Sequence, residues 1–236
     1  MTEHTNLEAE TAWFRECAAR KTITGLEARN ISAQYVTTRQ EALSVLLDSI
    51  PPTAVVARGD SLTLDQIGIL SALHERGQNT LIDPFGIDDK GRWLAGTDEG
   101  HQMKRESFLS DVFLTGTNAL TTDGKLVNVD GVGGRVAAMI FGPNKVIVVA
   151  GVNKIVKDVD SALKRIHEFA APMNAKRHLL RHHATQLADL PCLKSGTCVD
   201  CHHDWRICHF TVIIDGVRLP ERGRIHVVLV GEDLGL

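Results

Sequence analysis

Lys145 to Ala150 reads KVIVVA, the most strand-like run in the chain. It is apolar on both faces, and such a strand belongs in the middle of a sheet covered on both sides. Its surroundings repeat one pattern. Upstream, Asp130-Gly131-Val132-Gly133-Gly134-Arg135 is a glycine-rich loop entering a short helix, Val136 to Ile140, which Gly142-Pro143 stops. Downstream, Gly151-Val152-Asn153-Lys154 follows the strand, and a helix over about 158–169 starts at Asp158 or Asp160.

The first half of the chain alternates in the same way. A helix over 7–28 carries Trp13, Phe14, Cys17 and Leu26, and Cys17 is expected to be a buried small hydrophobe. A strand at Ser32 to Val36 is followed by a helix opened by the capping box of Thr38 to Glu41 and ended by Pro51-Pro52. Thr53 to Ala57 is a strand running into Arg58-Gly59-Asp60-Ser61-Leu62-Thr63 and a helix through Ile67, Leu70 and Leu73. Further strands are expected at Thr80 to Asp83, Asp111 to Thr115 and Leu126 to Val129, the last following a tight turn at Thr122-Asp123-Gly124-Lys125. A helix lies near 98–108. Strands alternating with helices predict a three-layer α/β fold around a mostly parallel sheet. Ligands of such sheets sit beyond the carboxyl ends of the strands. The segments Gly59 to Thr63, Asn118 to Thr121, Gly131 to Arg135 and Asn153-Lys154 are therefore expected to converge on one crevice.

Four of the five cysteines fall in PCLKSGTCVDCHHDWRIC, residues 191–208, spaced C-x5-C-x2-C-x6-C at Cys192, Cys198, Cys201 and Cys208. Clustered cysteines in a chain of 236 residues point to metal rather than a disulfide scaffold. Only Cys198 and Cys201 form a close pair, whereas structural zinc sites usually show two, so a [4Fe–4S] cluster and zinc both stand on spacing alone. His202, His203 and His209 flank these positions, either as polar surface, as a ligand in place of one cysteine, or as hydrogen-bond partners of sulfur. Pro172 is expected to mark a boundary, after which 173–190 form a basic helix with Arg177, His178, Arg181, His182 and His183. That helix is either a solvated face or a positive surface for an anionic partner. Residues 173–209 thus form an excursion within a single domain spanning 1–236, before strands at Phe210 to Ile214 and Arg224 to Val230.

Bulk properties exclude several classes. A formal charge of -3 and 5% aromatics argue against a nucleic-acid partner. No apolar run approaches the roughly 20 residues of a membrane-spanning helix. The acidic start MTEHTNLEAE lacks the apolar run of a signal peptide, which fits a cytoplasmic protein.

In the crevice, Gly59, Ser61, Thr63, Asn118 and Thr121 are candidate hydrogen-bond donors to a small anionic metabolite. Arg135 and Lys154 are candidate cations for its carboxylate or phosphate, the alternative being charges that brace loops. The Gly59 to Thr63 corner is either an anion-holding helix start or a plain capped turn.

The runs Thr115 to Gly124, Asp130 to Gly142 (DGVGGRVAAMIFG), Lys145 to Gly151 and Asn153 to Val156 resemble the LUD domain, a lactate-utilisation family. The likeness includes Gly59 to Leu64, the PC…GxCxxC…RIC stretch and the closing RIHVVLVGEDLG. It implies a fold like that of the NagB/RpiA/CoA-transferase group, in the stand-alone type that carries the C-terminal cysteine motif. Gly133-Gly134-Arg135 departs from the family's frequent G-N-R, and no residue matches the glutamate nucleophile of CoA-transferases. The resemblance implies a [4Fe–4S] protein with a redox or electron-transfer role, other iron–sulfur subunits as partners, and a possible homodimer. One alternative is a non-redox enzyme whose cluster keeps an open coordination position for Lewis-acid chemistry, with Asp123, Asp60 or Glu99 as base. The other is a regulatory module with structural zinc or a sensing cluster.

Overall fold

The computed structural model describes residues 6–236; the first five positions of the acidic start lie outside the described residues. Helix α1 (Leu7–Glu27) is capped by Asn6, whose side chain accepts from the Ala9 N–H. It buries Ala19, Thr22 and Leu26, a stripe of helical spacing. At about 100° per residue Cys17 lies opposite that stripe, beside Trp13 and Phe14. All three side chains are exposed, Trp13 by 66%, so the expectation that Cys17 is buried is corrected.

Strand β1 (Ser32–Val36) precedes α2 (Arg39–Ser49), where the capping box forms as read: the Thr38 hydroxyl accepts from the Glu41 N–H at 3.2 Å. Glu41 returns to the Thr37 N–H at 2.8 Å. Strand β2 (Val55–Arg58), helices α3 (Leu62–Ile67) and α4 (Ile69–Arg76), strand β3 (Thr80–Ile82), helix α5 (Asp98–Glu106) and strand β4 (Val112–Gly116) follow. A hairpin, β5 (Ala119–Thr121) and β6 (Leu126–Asp130), turns at Gly124 with φ +91°. Helix α6 (Gly134–Ile140), strands β7 (Lys145–Gly151) and β8 (Ile155–Val156), helices α7 (Val159–Arg165), α8 (Ala171–Arg181) and α9 (Pro191–Ser195), and strands β9 (Phe210–Ile214) and β10 (Ile225–Val230) complete the order.

Six strands form an all-parallel sheet in the order β1-β10-β7-β4-β2-β3. The KVIVVA strand lies between β10 and β4, and it is apolar on both faces because both faces are covered. Val146, Val148 and Ala150 pack with Leu26, Phe113 and Met139 on one side. Ile147 and Val149 pack with Leu46, Leu64, Ile69 and Leu73 on the other. This is the expected three-layer α/β architecture. A second sheet, β8-β5-β6-β9, is mixed; its Ala119 and Val127 pack with Ala162 of α7 and with Ile166, the residue that follows α7. The hairpin turn and α1 are pressed together: a Cβ on Gly25 would lie 2.5 Å from the Asp123 carbonyl carbon.

Pro172 is not a boundary. It is buried in the first turn of α8, in helical backbone running without a break from Val159 to Arg181. A π-helical stretch, Ile166–Ala170, widens the turn just before it, where a proline without an N–H is tolerated. The basic helix ends at Arg181 rather than at 190. Ala175 of α8 forms a small apolar cluster with Ala184, Leu187 and Leu190 from beyond the helix, beneath the cysteine loop, with Cys192, Leu193 and Ile207 packed against it. The excursion therefore has its own anchorage before the chain returns through β9 to β10 in the sheet.

Candidate functional site

The carboxyl ends of β2, β4 and β7 open on a crevice of about 710 Å³. Gly59, Asp60 and Ser61 after β2, Asn118 after β4, Arg135 in the first turn of α6 and Lys154 after β7 all line it. The convergence expected from topology is thus observed. Thr63 contributes from behind, its hydroxyl oxygen accepting from Lys154 Nζ at 3.2 Å. Besides Thr63, three further candidates lie outside the lining. Thr121 is buried in the hairpin, where its hydroxyl donates to Asp123 and accepts from the Lys125 N–H. Asp123 is held there by Arg29 at 2.9 Å and Lys125 at 3.2 Å. Glu99 is exposed on α5.

The corner after β2 is a capped turn. Ser61 accepts from the Leu64 N–H at 3.4 Å, so its oxygen already serves α3. Asp60, 15% exposed, is gripped by α8: Arg177 donates to it, His178 Nε2 stands 3.4 Å away, and Arg58 is at 3.8 Å. Burial alone would raise the Asp60 carboxyl, but the hydrogen bond and charge of Arg177, with His178 and Arg58, outweigh it and hold the group below its usual value. A carboxylate so committed is a poor general base. Arg181 pairs likewise with Asp65 at 2.7 Å. The basic face of α8 is therefore a clamp on the β2–α3 corner.

Arg135, with a side chain 13% exposed, braces loops and does not offer itself to a ligand. Its guanidinium donates to Asn128 Oδ1 at 2.7 Å, the Gly116 carbonyl at 3.3 Å, Asn118 Oδ1 at 3.0 Å and the Val129 carbonyl at 3.0 Å. Its Nε stands 3.4 Å from Asp130. A guanidinium has five N–H bonds, and these partners occupy them. The bracing also orients Asn118. Its Oδ1 accepts from Arg135 and from the Val129 N–H, leaving Nδ2 as the donor that no described residue engages.

Lys154 is different. It is 4% exposed, its hydrogen bond is to the Thr63 hydroxyl, and no carboxylate among the described residues lies within ion-pair distance. Burial pushes its amine down to about 7, with the charges of Arg165 and Arg135 adding to the shift.

The four predicted metal-binding cysteines line one cavity of about 50 Å³, although they come from α9, the following loop and the approach to β9. Burial and the neighbouring thiols raise Cys192; burial raises Cys208 against the opposing charge of Arg206. The Asp200 N–H points to Cys198 Sγ at 3.4 Å, from a residue in left-handed backbone at φ +49°. Arg206 donates to the Cys201 carbonyl at 2.7 Å and fixes the far side of the loop. His202, His203 and His209 do not line this cavity; His203 and His209 accept from the Trp205 N–H and Arg206 Nε. His167 does line it, and its carbonyl accepts from the Cys198 N–H at 3.3 Å. It lies 25 positions before Cys192, inside the π-helical stretch, with no local spacing to link it to the cysteines. Arg206 and Ile207 line both the cysteine cavity and the crevice, so one wall separates the two.

A second cluster stands beside the crevice. Asp60, His178 and His182 have ligand atoms within 4.8 Å of one another, and His182 stacks on Trp93 at 3.9 Å between centroids. Burial lowers both imidazoles, His182 to about 4, so they are neutral near pH 7. With Arg177 and Arg58 on the same carboxylate, this cluster is unfavourable for a cation.

Comparison with known proteins places the fold. The crystal structure of a DUF162 family protein from Deinococcus radiodurans matches with a TM-score of 0.50 at 12% identity, covering 92% of this chain and 97% of that one. Ribose 5-phosphate isomerase A from Neisseria gonorrhoeae gives 0.32 at 13% identity, covering 61% and 64%. The eIF2B delta structure from Chaetomium thermophilum gives 0.32 at 15% identity, covering 50% and 48%. No curated protein matches. The model of the LUD domain matches residues 19–230, nearly the whole chain, and the chain belongs to the LUD domain family.

Proposed function

We propose that this LUD domain protein holds a [4Fe–4S] cluster on Cys192, Cys198, Cys201 and Cys208, binds a small anionic metabolite in the crevice, and serves electron transfer in oxidative metabolism of the lactate-utilisation type. The observation that carries the reading is the shared wall: four cysteines facing one cavity, separated from a ligand-sized crevice by Arg206 and Ile207. The residues present fit a cluster. Four thiols are gathered in a half-buried, largely apolar setting, and a backbone N–H already points at one sulfur. Among the described residues no three of the sulfurs lie within 4.8 Å of one another. Four ligands of one tetrahedral zinc, at Zn–S near 2.3 Å, would stand about 3.8 Å apart. When bound, a cluster supplies one-electron chemistry at the crevice wall.

The chain's own residues do the rest. Asn118 Nδ2 and Lys154 Nζ offer donors to an anion, Arg135 keeps Asn118 in place, and Arg206 ties the cysteine loop to the crevice. Four cysteines at one cavity favour a fully ligated cluster over an open coordination position. Of the proposed bases, Asp60 is locked in ion pairs, and Asp123 and Glu99 lie outside the crevice.

The test is a reductive titration of the anaerobically prepared protein, monitored by EPR, for wild type and Cys198→Ala. A reducible signal in the wild type that disappears in the variant supports the reading. Wild-type protein with no reducible centre, or a variant that keeps a full signal, contradicts it.

A further inference from the structure

Among the described residues, six cationic side chains line the crevice (Arg58, Lys104, Arg135, Lys154, Arg177 and Arg206) against three carboxylate side chains, Asp60, Asp130 and Asp204. The chain as a whole carries a formal charge of -3, so positive charge is concentrated here. Asp60 is spent on Arg177 and Arg58, and Asp130 on Arg135. Among the described residues, no carboxylate lies within ion-pair distance of the other three cations. Lys104 Nζ donates to the Ala95 carbonyl at 2.6 Å and sits 5.6 Å from the Phe85 ring centroid. Lys154 Nζ has the Thr63 hydroxyl. Arg206 has the Cys201 carbonyl and His209 Nδ1, while Asp204 lines the same crevice, exposed. Holding an ammonium group away from water without a counter-ion is costly, and around this one crevice Lys154 is buried and Lys104 half-buried in that state. The volume points the same way: about 710 Å³ is far more than a three-carbon monocarboxylate fills.

Resting on the reading that the crevice binds an anionic metabolite, we infer that its ligand carries a second anionic group: an organic acid with a further carboxylate or phosphate, one end at Lys154 and Asn118 and the other toward Lys104. Asp130 and Asp60 act on Lys104 only at range and are engaged by guanidinium groups, so neither substitutes for that second group.

Isothermal titration at constant ionic strength would compare lactate, malate and 3-phosphoglycerate, three 2-hydroxy acids differing in the second group, on wild type, Lys104→Met and Lys154→Met. Circular dichroism would check that each variant is folded. We expect malate or 3-phosphoglycerate to bind at least about tenfold tighter than lactate. In Lys104→Met that advantage should shrink several-fold while lactate affinity changes little; in Lys154→Met all three should weaken. The preference between malate and 3-phosphoglycerate then identifies the second group as carboxylate or phosphate. Lactate binding as tightly as both, or an advantage untouched in Lys104→Met, overturns the inference and leaves the anionic-metabolite reading standing. Binding of none of the three overturns both.

Discussion

Replacing Lys154 by Met should stabilise the protein, by an amount that depends on pH in a defined way. The amine titrates near 7 in the folded chain against an ordinary value of 10.5. A depression of that size, at about 1.36 kcal/mol per unit, is a cost of about 5 kcal/mol to the folded state when the group is charged in both states. The sign follows from proton counting. Between pH 7 and 10.5 the unfolded chain holds the proton and the folded chain does not, so stability rises with pH over that window. Below 7 the full cost is present, and above 10.5 it is gone. Methionine fills a similar volume without the charge, so Lys154→Met should be more stable than wild type near pH 7. The lost hydrogen bond to Thr63, worth about 1 kcal/mol, and imperfect packing reduce the gain. The change with pH is the cleaner quantity, because those terms cancel: the stability difference between variant and wild type should narrow by about 3–4 kcal/mol from pH 7 to 10. Urea unfolding at pH 7, 8, 9 and 10 measures it. A difference that stays constant across the series would refute the buried, uncompensated amine.

Three further outcomes follow from the same geometry. Arg135→Met leaves Asp130 buried beside no cation and several acceptors unpaired, and should lower unfolding free energy by about 3–5 kcal/mol in urea titrations; an unchanged midpoint would make Arg135 a ligand residue after all. Gly25→Ala drives a methyl against backbone at 2.5 Å between α1 and the hairpin turn, and thermal unfolding should show a loss of several kcal/mol, about the range of strong overpacking; a wild-type melting temperature would mean the two segments separate freely. Asp60 has a depressed folded-state value, so its contribution is intact above its ordinary value of 3.8 and is lost as pH falls through the lower folded one. Asp60→Asn should therefore flatten the acid limb of a stability–pH profile below about pH 4, and an acid limb identical to wild type would show that the α8 clamp carries no net charge coupling.

Most of the fold was legible because its signals are local. KVIVVA shows its central place by being apolar on both sides, Thr38 and Glu41 mark a helix start, and Gly124 marks a turn. What stayed hidden depends on distant parts of the chain. Cys17 and Ala19 look equally burial-prone in sequence, and only the packing of α1 on the sheet decides that Ala19 faces inward. Pro172 reads as a stop because a regular α-helix resists proline; the π-helical turn that admits it has no simple sequence mark. The candidate site divides similarly. Strand-end loops indicated Asn118 and Lys154, since topology alone sends them to the crevice. They could not tell Arg135, saturated by partners from three segments, from Lys154, which has only a hydroxyl. Lys104, Arg177, Arg206 and His167 reach the site from helices and loops far along the chain, and sequence reasoning did not assign any of them to it.

The central claim, four thiolates around a cluster at the crevice wall, is tested most directly by metal and sulfide analysis of protein purified without oxygen. The account predicts brown protein with about four iron atoms and four acid-labile sulfides per chain, falling together in Cys201→Ala. Colourless protein holding one zinc per chain and no sulfide would contradict it.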